Sequence, residues 1–401
     1  MPMPLRISRT LATLLAVSFL AAACAPAPGA SSTAAGAPAQ PANAGGGTFT
    51  FGVLLPLTGP AAAIGTVNRN GLDMAVEEIN QQGGASGLTF DANVQDHKGT
   101  AQDGVAAMNQ LVNIAHVPAV ISTFSGPTLA AQPIAAQNKA LLINTGGTDV
   151  SLLNKPWLYN NQVMAPNLVP ALARYSWEQG FRKAAALSSN DAYGDGSRKS
   201  FQDAWQKLGG GQLVADELFP LDATDFSAQL TKIKAANADV LMVVAVGQTQ
   251  GQIIKQARAL GVTAQMLGPL ATNDILGVGG TAAEGFIDSG IAVDPKAQDP
   301  GARRFIETYR QKYGSDPDWP SGTMYETVYL LRDLINTVSK QGGDPHDGEQ
   351  LLKALEANPR FHNYLADGDV QFGPDHSVLR KLALRKVTNG AFQPFSIVDP
   401  Q

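Results

Sequence analysis

Thr48-Phe49-Thr50-Phe51-Gly52-Val53-Leu54-Leu55-Pro56 is the stretch on which the fold turns. It is a short apolar run stopped by Pro56 and Gly59, the pattern of a strand buried on both faces. Leu72, Ala75, Val76 and Ile79 follow at helical spacing, and Gly83-Gly84 ends that helix. Leu88–Asp96 then alternates as a second strand. Strand, helix and strand in this order predict a parallel pair with a crossover helix.

The same rhythm continues outward. Thr100 and Asp103 predict a capping box, with Val105, Met108, Leu111 and Val112 on the inner face of the helix they start. Ala119–Ile121 and Ala140–Ile143 read as short strands, with a helix over Thr128–Gln137 between them. A second series begins near Lys183. Its strands are predicted at Lys183–Leu187, Leu213–Phe219, Asp239–Val244 and Gln265–Leu267. Its helices lie near Asp195–Leu208, Phe226–Ala236 and Thr249–Leu260. Two such series in a chain of 401 residues predict an α/β protein of two doubly wound lobes with parallel sheets. The tail from Gly301 adds three helical stretches and late strands near Val370 and Leu382–Val387. These complete both lobes, so the chain crosses between them more than once.

In doubly wound folds, ligands sit beyond the carboxyl ends of the strands, against helix N-termini. Those positions are Pro56–Thr66, Asp96–Thr100, Ser122–Thr128, Asn144–Ser151, Ser188–Gly196, Val246–Gln250 and Pro269–Asp274. They are rich in Gly, Ser, Thr and Asn. Backbone amides in such a setting suit a small anion, especially a carboxylate.

Composition removes several functions. Charged residues are 16% of the chain and the formal net charge is −5, which argues against nucleic acid as a partner. The histidines are His97, His116, His346, His362 and His376, and none is paired at metal-ligand spacing. Gly277–Gly285 does not match G-x-G-x-x-G, and no Walker A motif occurs. Ser125 lies in Phe124-Ser125-Gly126, which is not a nucleophile elbow. Asp96 and His97 are adjacent, and neighbouring strand residues face opposite ways. No catalytic residue, metal or cofactor is expected, and the protein is read as a binder rather than an enzyme.

The first residues read as an export signal. Arg6 and Arg9 precede an apolar run from Leu11 to Ala23, too short for a comfortable membrane span. Leu20-Ala21-Ala22-Ala23-Cys24 resembles a bacterial lipobox, with Ala21 where leucine is usual. Residues 1–23 are therefore expected to be removed and Cys24, the chain's single cysteine, to carry lipid. Residues 24–47 are Ala, Pro, Gly and Ser with little else, a flexible tether.

The folded part resembles the type I periplasmic solute-binding proteins of the branched-chain amino-acid transporter group. Gly52-Val53-Leu54-Leu55-Pro56-Leu57-Thr58-Gly59-Pro60, then Gly65, Gly71 and Glu78-Ile79-Asn80 before Gly83-Gly84, carry the likeness. So do Asp191-Ala192-Tyr193-Gly194-Asp195-Gly196 and Gly251-Gln252-Ile253-Ile254-Lys255-Gln256-Ala257-Arg258 before Gly261. It runs from Thr48 to beyond Tyr325. The resemblance implies two lobes joined by a hinge of three strands, a ligand in the cleft, and closure on binding. It implies 48–165 with about 292–368 as the first lobe, and 166–291 with about 369–401 as the second. It further implies a monomer that delivers its ligand to the membrane permease of an ATP-driven importer. A sensor reporting to a membrane kinase or chemoreceptor is the alternative, because it shares fold, anchor and cleft.

The resemblance places Ser125 on a ligand carboxylate, Gly146 at a backbone contact, Thr148 on carboxylate and amine, and Tyr193 as the aromatic that closes over the ligand. Hydroxyls and helix-start amides make charge-assisted bonds to a carboxylate. Helix capping serves Ser125 and Thr148 equally well. Three positions depart from the amino-acid pattern. Ile64 and Val246 stand where aromatic residues are common, and Leu270 stands where an acid pairs the ligand ammonium. A buried charge without its partner costs about 3–5 kcal/mol, a loss of over a hundredfold in affinity. Either another acid serves, Asp274 being nearest, or the ligand is an apolar or aromatic carboxylate without an α-ammonium. An amide or polyol-like solute is a third possibility. Trp157, Trp319 and Tyr325 are candidates for the cleft wall, although packing is the commoner role.

Overall fold

The structure is a computed structural model, and it describes residues 46–399. The export signal, Cys24 and nearly all of the tether lie outside the described residues. The opening run forms β1 (Thr48–Leu55), and α1 (Ala62–Gln81) leads to β2 (Thr89–Asp96). α2 (Ala101–Asn109), β3 (Ala119–Ser122), α3 (Ser125–Gln137), β4 (Leu141–Asn144) and β5 (Leu158–Asn160) follow. The strands make a five-stranded sheet ordered β2-β1-β3-β4-β5, all parallel. Its strands alternate between two cores. Phe49, Phe51, Val53, Leu55, Ile121 and Ile143 face one side, while Leu54, Val120 and Leu142 face the other.

The second body repeats that winding. α4 (Ala165–Leu168) and α5 (Pro170–Glu178) lead in. β6 (Ala184–Ser189), α6 (Ala192–Lys207), β7 (Ala215–Phe219), α7 (Ser227–Ala235), β8 (Val240–Val244), α8 (Gln248–Ala259), β9 (Gln265–Pro269), α9 (Asp274–Gly279) and β10 (Ile287–Ile291) follow. Strands β7-β6-β8-β9-β10 are parallel neighbours in the same order as the first sheet. Returning to the first body, the chain forms α10 (Pro300–Tyr313), α11 (Trp319–Lys340), α12 (Gly348–Ala357) and the short pair β11 (Arg360–His362) and β12 (Asp369–Gln371). It then adds β13 (Leu382–Thr388) and β14 (Ala391–Val398) antiparallel to the second sheet's edge at β10.

The chain thus passes between the two sheets three times. The crossovers lie side by side: Ala292 N–H donates to Lys381 C=O, and Arg380 donates to Asn161. Val370, Phe372 and Val378 belong to the first core, so the last crossover follows Val378 rather than falling at 369. The reason is the β11–β12 pairing, which holds this segment on the first body. Val105 is 37% exposed, not inward. The buried stripe of α2 is centred on Gly104, where a Cβ would lie 2.9 Å from Pro127 Cα, and this close approach to α3 leaves Val105 at the margin. None of the helices among the described residues is long and apolar enough to cross a membrane.

Candidate functional site

Both sheets point their strand ends at one cavity. It is lined by Ile64, Phe124, Ser125, Gly146, Asp191, Tyr193, Ala245, Val246, Leu270 and Trp319. These residues follow β1, β3, β4, β6, β8 and β9, with Trp319 added from the start of α11. In each sheet the strand order reverses beside the first strand, and a crevice opens where neighbouring connections leave on opposite sides.

Two helices begin earlier than their periodicity predicts, and this shapes the site. α3 starts at Ser125 rather than Thr128, because Phe124 adopts φ +67° and turns the chain sharply into the helix. The Phe124 ring packs against His97, with centroids 5.5 Å apart. Ser125 Oγ accepts from the N–H groups of Thr148 (3.0 Å) and Asp149 (3.3 Å). A hydroxyl has a single proton and two lone pairs, so both lone pairs are used and the proton is left to donate. The α3 N-terminus adds its unpaired amides and positive dipole end beside that hydroxyl.

In the second body α6 starts at Ala192 rather than Asp195. Asp191 is its N-cap, accepting from Gly194 N–H (2.9 Å) and Ser189 Oγ (2.7 Å). A glycine is required three residues after the cap, since a Cβ on Gly194 would lie 1.8 Å from Ser189 C=O. Tyr193 is thereby fixed in the first turn, buried, with its hydroxyl donating to Pro269 C=O at 3.3 Å. Burial raises its pKa, and Asp191 and Asp288 add to the effect, so it stays a neutral phenol.

Leu270 adds to the wall from the end of β9. Its φ is +55°, a strained conformation for a branched side chain. Its N–H is tied to Ser289 C=O at 2.8 Å. Phe124 and Leu270 are thus two left-handed, non-glycine residues lining one cavity. Strain of this kind collects at functional sites.

Six of the seven expected positions, Ile64, Ser125, Gly146, Tyr193, Val246 and Leu270, line this cavity. Thr148 does not. It is fully buried behind Ser125, and its Oγ1 has no hydrogen-bond partner among the described residues. Gly146 N–H donates to Asn144 Oδ1 (3.1 Å), so its free contact group is the carbonyl, an acceptor. Asp274 lies close by. Thr272 donates to its Oδ1, while Oδ2 is buried without a partner among the described residues. A Cβ on Gly247 would sit 2.7 Å from that Oδ2 and 3.3 Å from Ile64 Cδ1, which puts the carboxylate beside the Ile64 wall. Burial raises the Asp274 pKa, the Thr272 bond only partly offsets this, and the Asp318 charge adds to the rise.

Trp319, Phe124, Asp191 and Ala245 complete the lining. Trp319 had a signal of its own: Asp318-Trp319-Pro320 is an N-cap followed by proline, a helix start like the others facing the cleft. Asp318 reaches across to the second body. It accepts from Asn273 N–H at 3.2 Å and stands 3.5 Å from Arg385, which pairs with Asp288 through two bonds of 2.8 Å. Burial opposes the Arg385 charge, but Asp288 and Asp318 together raise its pKa above the ordinary value. Trp157 is half-buried and is not in the lining. Tyr325 is in the first core, its hydroxyl donating to Glu78 at 2.6 Å. Among the described residues no group of three or more His, Cys, Asp or Glu is placed to hold a metal.

Two wound bodies, three crossovers and a cavity between strand ends define a type I periplasmic binding fold. The Periplasmic binding protein family model matches residues 48–391, and the chain belongs to that family. Among curated relatives it is 27% identical to the Leu/Ile/Val-binding protein homolog 3 of Brucella melitensis, over 78% of this chain and 84% of that protein. Among solved structures it is similar to a leucine-binding protein of Thermotoga maritima, with TM-score 0.80 and 21% identity over 88% of this chain and 99% of that one. It is also similar to a solute-binding protein of an R. palustris ABC transporter in complex with benzoate, with TM-score 0.78 and 19% identity over 88% and 97%.

Proposed function

We propose that this chain is the solute-binding lipoprotein of an ATP-driven importer, held to a membrane through Cys24 and closing its two bodies over a small carboxylate. The observation that carries this reading is Ser125. Its proton is directed by two accepted bonds, at a helix N-terminus, in a cavity otherwise walled by Ile64, Tyr193, Val246, Leu270 and Trp319. One anion-binding end and one apolar end fit an acid with a hydrophobic body, either an amino acid or an apolar or aromatic acid. The curated relative's name supports the amino acid. Leu270 in place of an acid supports the amine-free carboxylate. The protein works as a monomer that hands its cargo to permease subunits, and it returns the ligand unchanged.

A thermal-shift panel tests this reading. A ligand at a hundred times its dissociation constant stabilises the protein by about 2.7 kcal/mol. Branched-chain amino acids or apolar carboxylates are expected to raise the melting temperature, and recovered ligand is expected to be unaltered by mass. A panel in which no carboxylate shifts the melt contradicts the proposal. For the anchor, fatty-acid labelling in cells is expected for the natural chain and lost in Cys24→Ala.

A further inference from the structure

Two polar atoms at or beside the cavity are buried and lack partners among the described residues, and they are of opposite kind. Trp319 Nε1 carries a proton and can only donate. Asp274 Oδ2, when ionised, can only accept. Trp319 lines the cavity and is 5% exposed, and Asp274 Oδ2 adjoins its Ile64 wall. A bond ties together the segments that carry them: Asn273 N–H, next to Asp274, donates to Asp318, next to Trp319.

Buried polar atoms are almost always paired, and an orphan at a binding site calls for a partner that a ligand group can supply. An ammonium only donates. It would pair Asp274 and leave the indole N–H bare. An ether or ketone only accepts, and would leave the carboxylate bare. A hydroxyl does both. The other acid in the lining, Asp191, is held as the α6 N-cap by Gly194 and Ser189 through Oδ1, and Leu270 offers no charge.

We infer that the ligand is an ammonium-free carboxylate that also carries a hydroxyl, donating to Asp274 and accepting from Trp319. This rests on the carboxylate reading of the same cleft and narrows it to hydroxylated apolar or aromatic acids.

The test is calorimetric titration of benzoate, 4-hydroxybenzoate, 4-methoxybenzoate and leucine into the protein, Asp274→Ala and Trp319→Phe, with unliganded melts to verify folding. The hydroxy acid is expected to bind at least about tenfold tighter than the other two benzoates. Each variant is expected to erase most of that preference, so that the hydroxy acid and benzoate bind the same variant about equally. Leucine binding above every benzoate, and lost in Asp274→Ala, overturns the inference but keeps the carboxylate site, since Asp274 then holds an ammonium. No preference for the hydroxy acid in the unaltered protein overturns it by itself, whatever the variants do. Failure of all four compounds to bind removes the carboxylate reading as well.

Discussion

Ser125 has two jobs, and a substitution separates them. Its oxygen holds the Thr148–Asp149 turn, and its proton is left to donate. A hydrogen bond to a charged group contributes about 1.5–3 kcal/mol. Ser125→Ala is therefore expected to weaken carboxylate binding by roughly ten- to a hundredfold in calorimetry, with a smaller fall in the unliganded melt. His97 makes a second residue-scale prediction. Burial holds its pKa at about 4 against an ordinary 6.5, although Asp96 and Asp103 act the other way. Its Nδ1 accepts from Gly99 N–H, so Nε2 carries the proton and donates to Thr123 at 2.9 Å. The unfolded chain takes up this proton first. Stability is present above about pH 6.5 and lost as pH falls towards 4, by about 3 kcal/mol in all. Melts from pH 7 to pH 4 are expected to fall less steeply in His97→Gln, and equal slopes would contradict a buried neutral imidazole. Val246 and Leu270 were legible because each lies just beyond a strand the sequence reveals, and Ile64 because the family resemblance places it over the ligand. Phe124 was not, because its left-handed turn leaves no mark in an ordinary phenylalanine. Nor was the placement of Thr148 behind Ser125, which depends on a bond across 23 residues.

The elements were legible wherever one side chain set could be read alone. The apolar runs of β1, β3, β4 and β8 announce themselves. β10 did not, because its buried Asp288 reads as a loop residue until Arg385, 97 positions later, pairs it. β5 is three residues long and ends in Asn160, whose side chain bonds Leu152, Asn144 and His376. The close packing of α1 was partly visible in its glycines. A Cβ on Gly71 would lie 2.1 Å from Ser321 C=O in α11, and backbone cannot give way as a side chain tip does. Gly71→Ala is expected to cost roughly 3 kcal/mol by denaturant unfolding, despite alanine's better helix propensity. A neutral or stabilising result would mean that α1 and α11 do not pack this closely.

At the scale of the whole molecule, the two bodies meet across the cleft at several places, Asp318 with Asn273 among them. Another is Gly196 of α6, where a Cβ would lie 2.5 Å from Asp149 Oδ2 of the first body. Gly196→Leu wedges that contact while improving the helix that carries it. The unliganded melt is expected to hold or rise, while ligand affinity falls at least about tenfold because closure is blocked. Small-angle scattering is expected to show compaction on ligand addition for the natural chain and none for the variant. Compaction in both would mean that the bodies close without this contact.

The central claim is that the cleft holds its ligand by a carboxylate. Calorimetric titration of matched pairs measures this most directly: benzoate, a phenylpropanoid acid and leucine, each against its own primary amide. Each pair keeps the body of the ligand and removes only the charge that Ser125 and the α3 N-terminus would meet. At least one acid is expected to bind about a hundredfold or more tighter than its amide, with the difference shrinking in Ser125→Ala. An amide that binds as tightly as its acid would contradict the account.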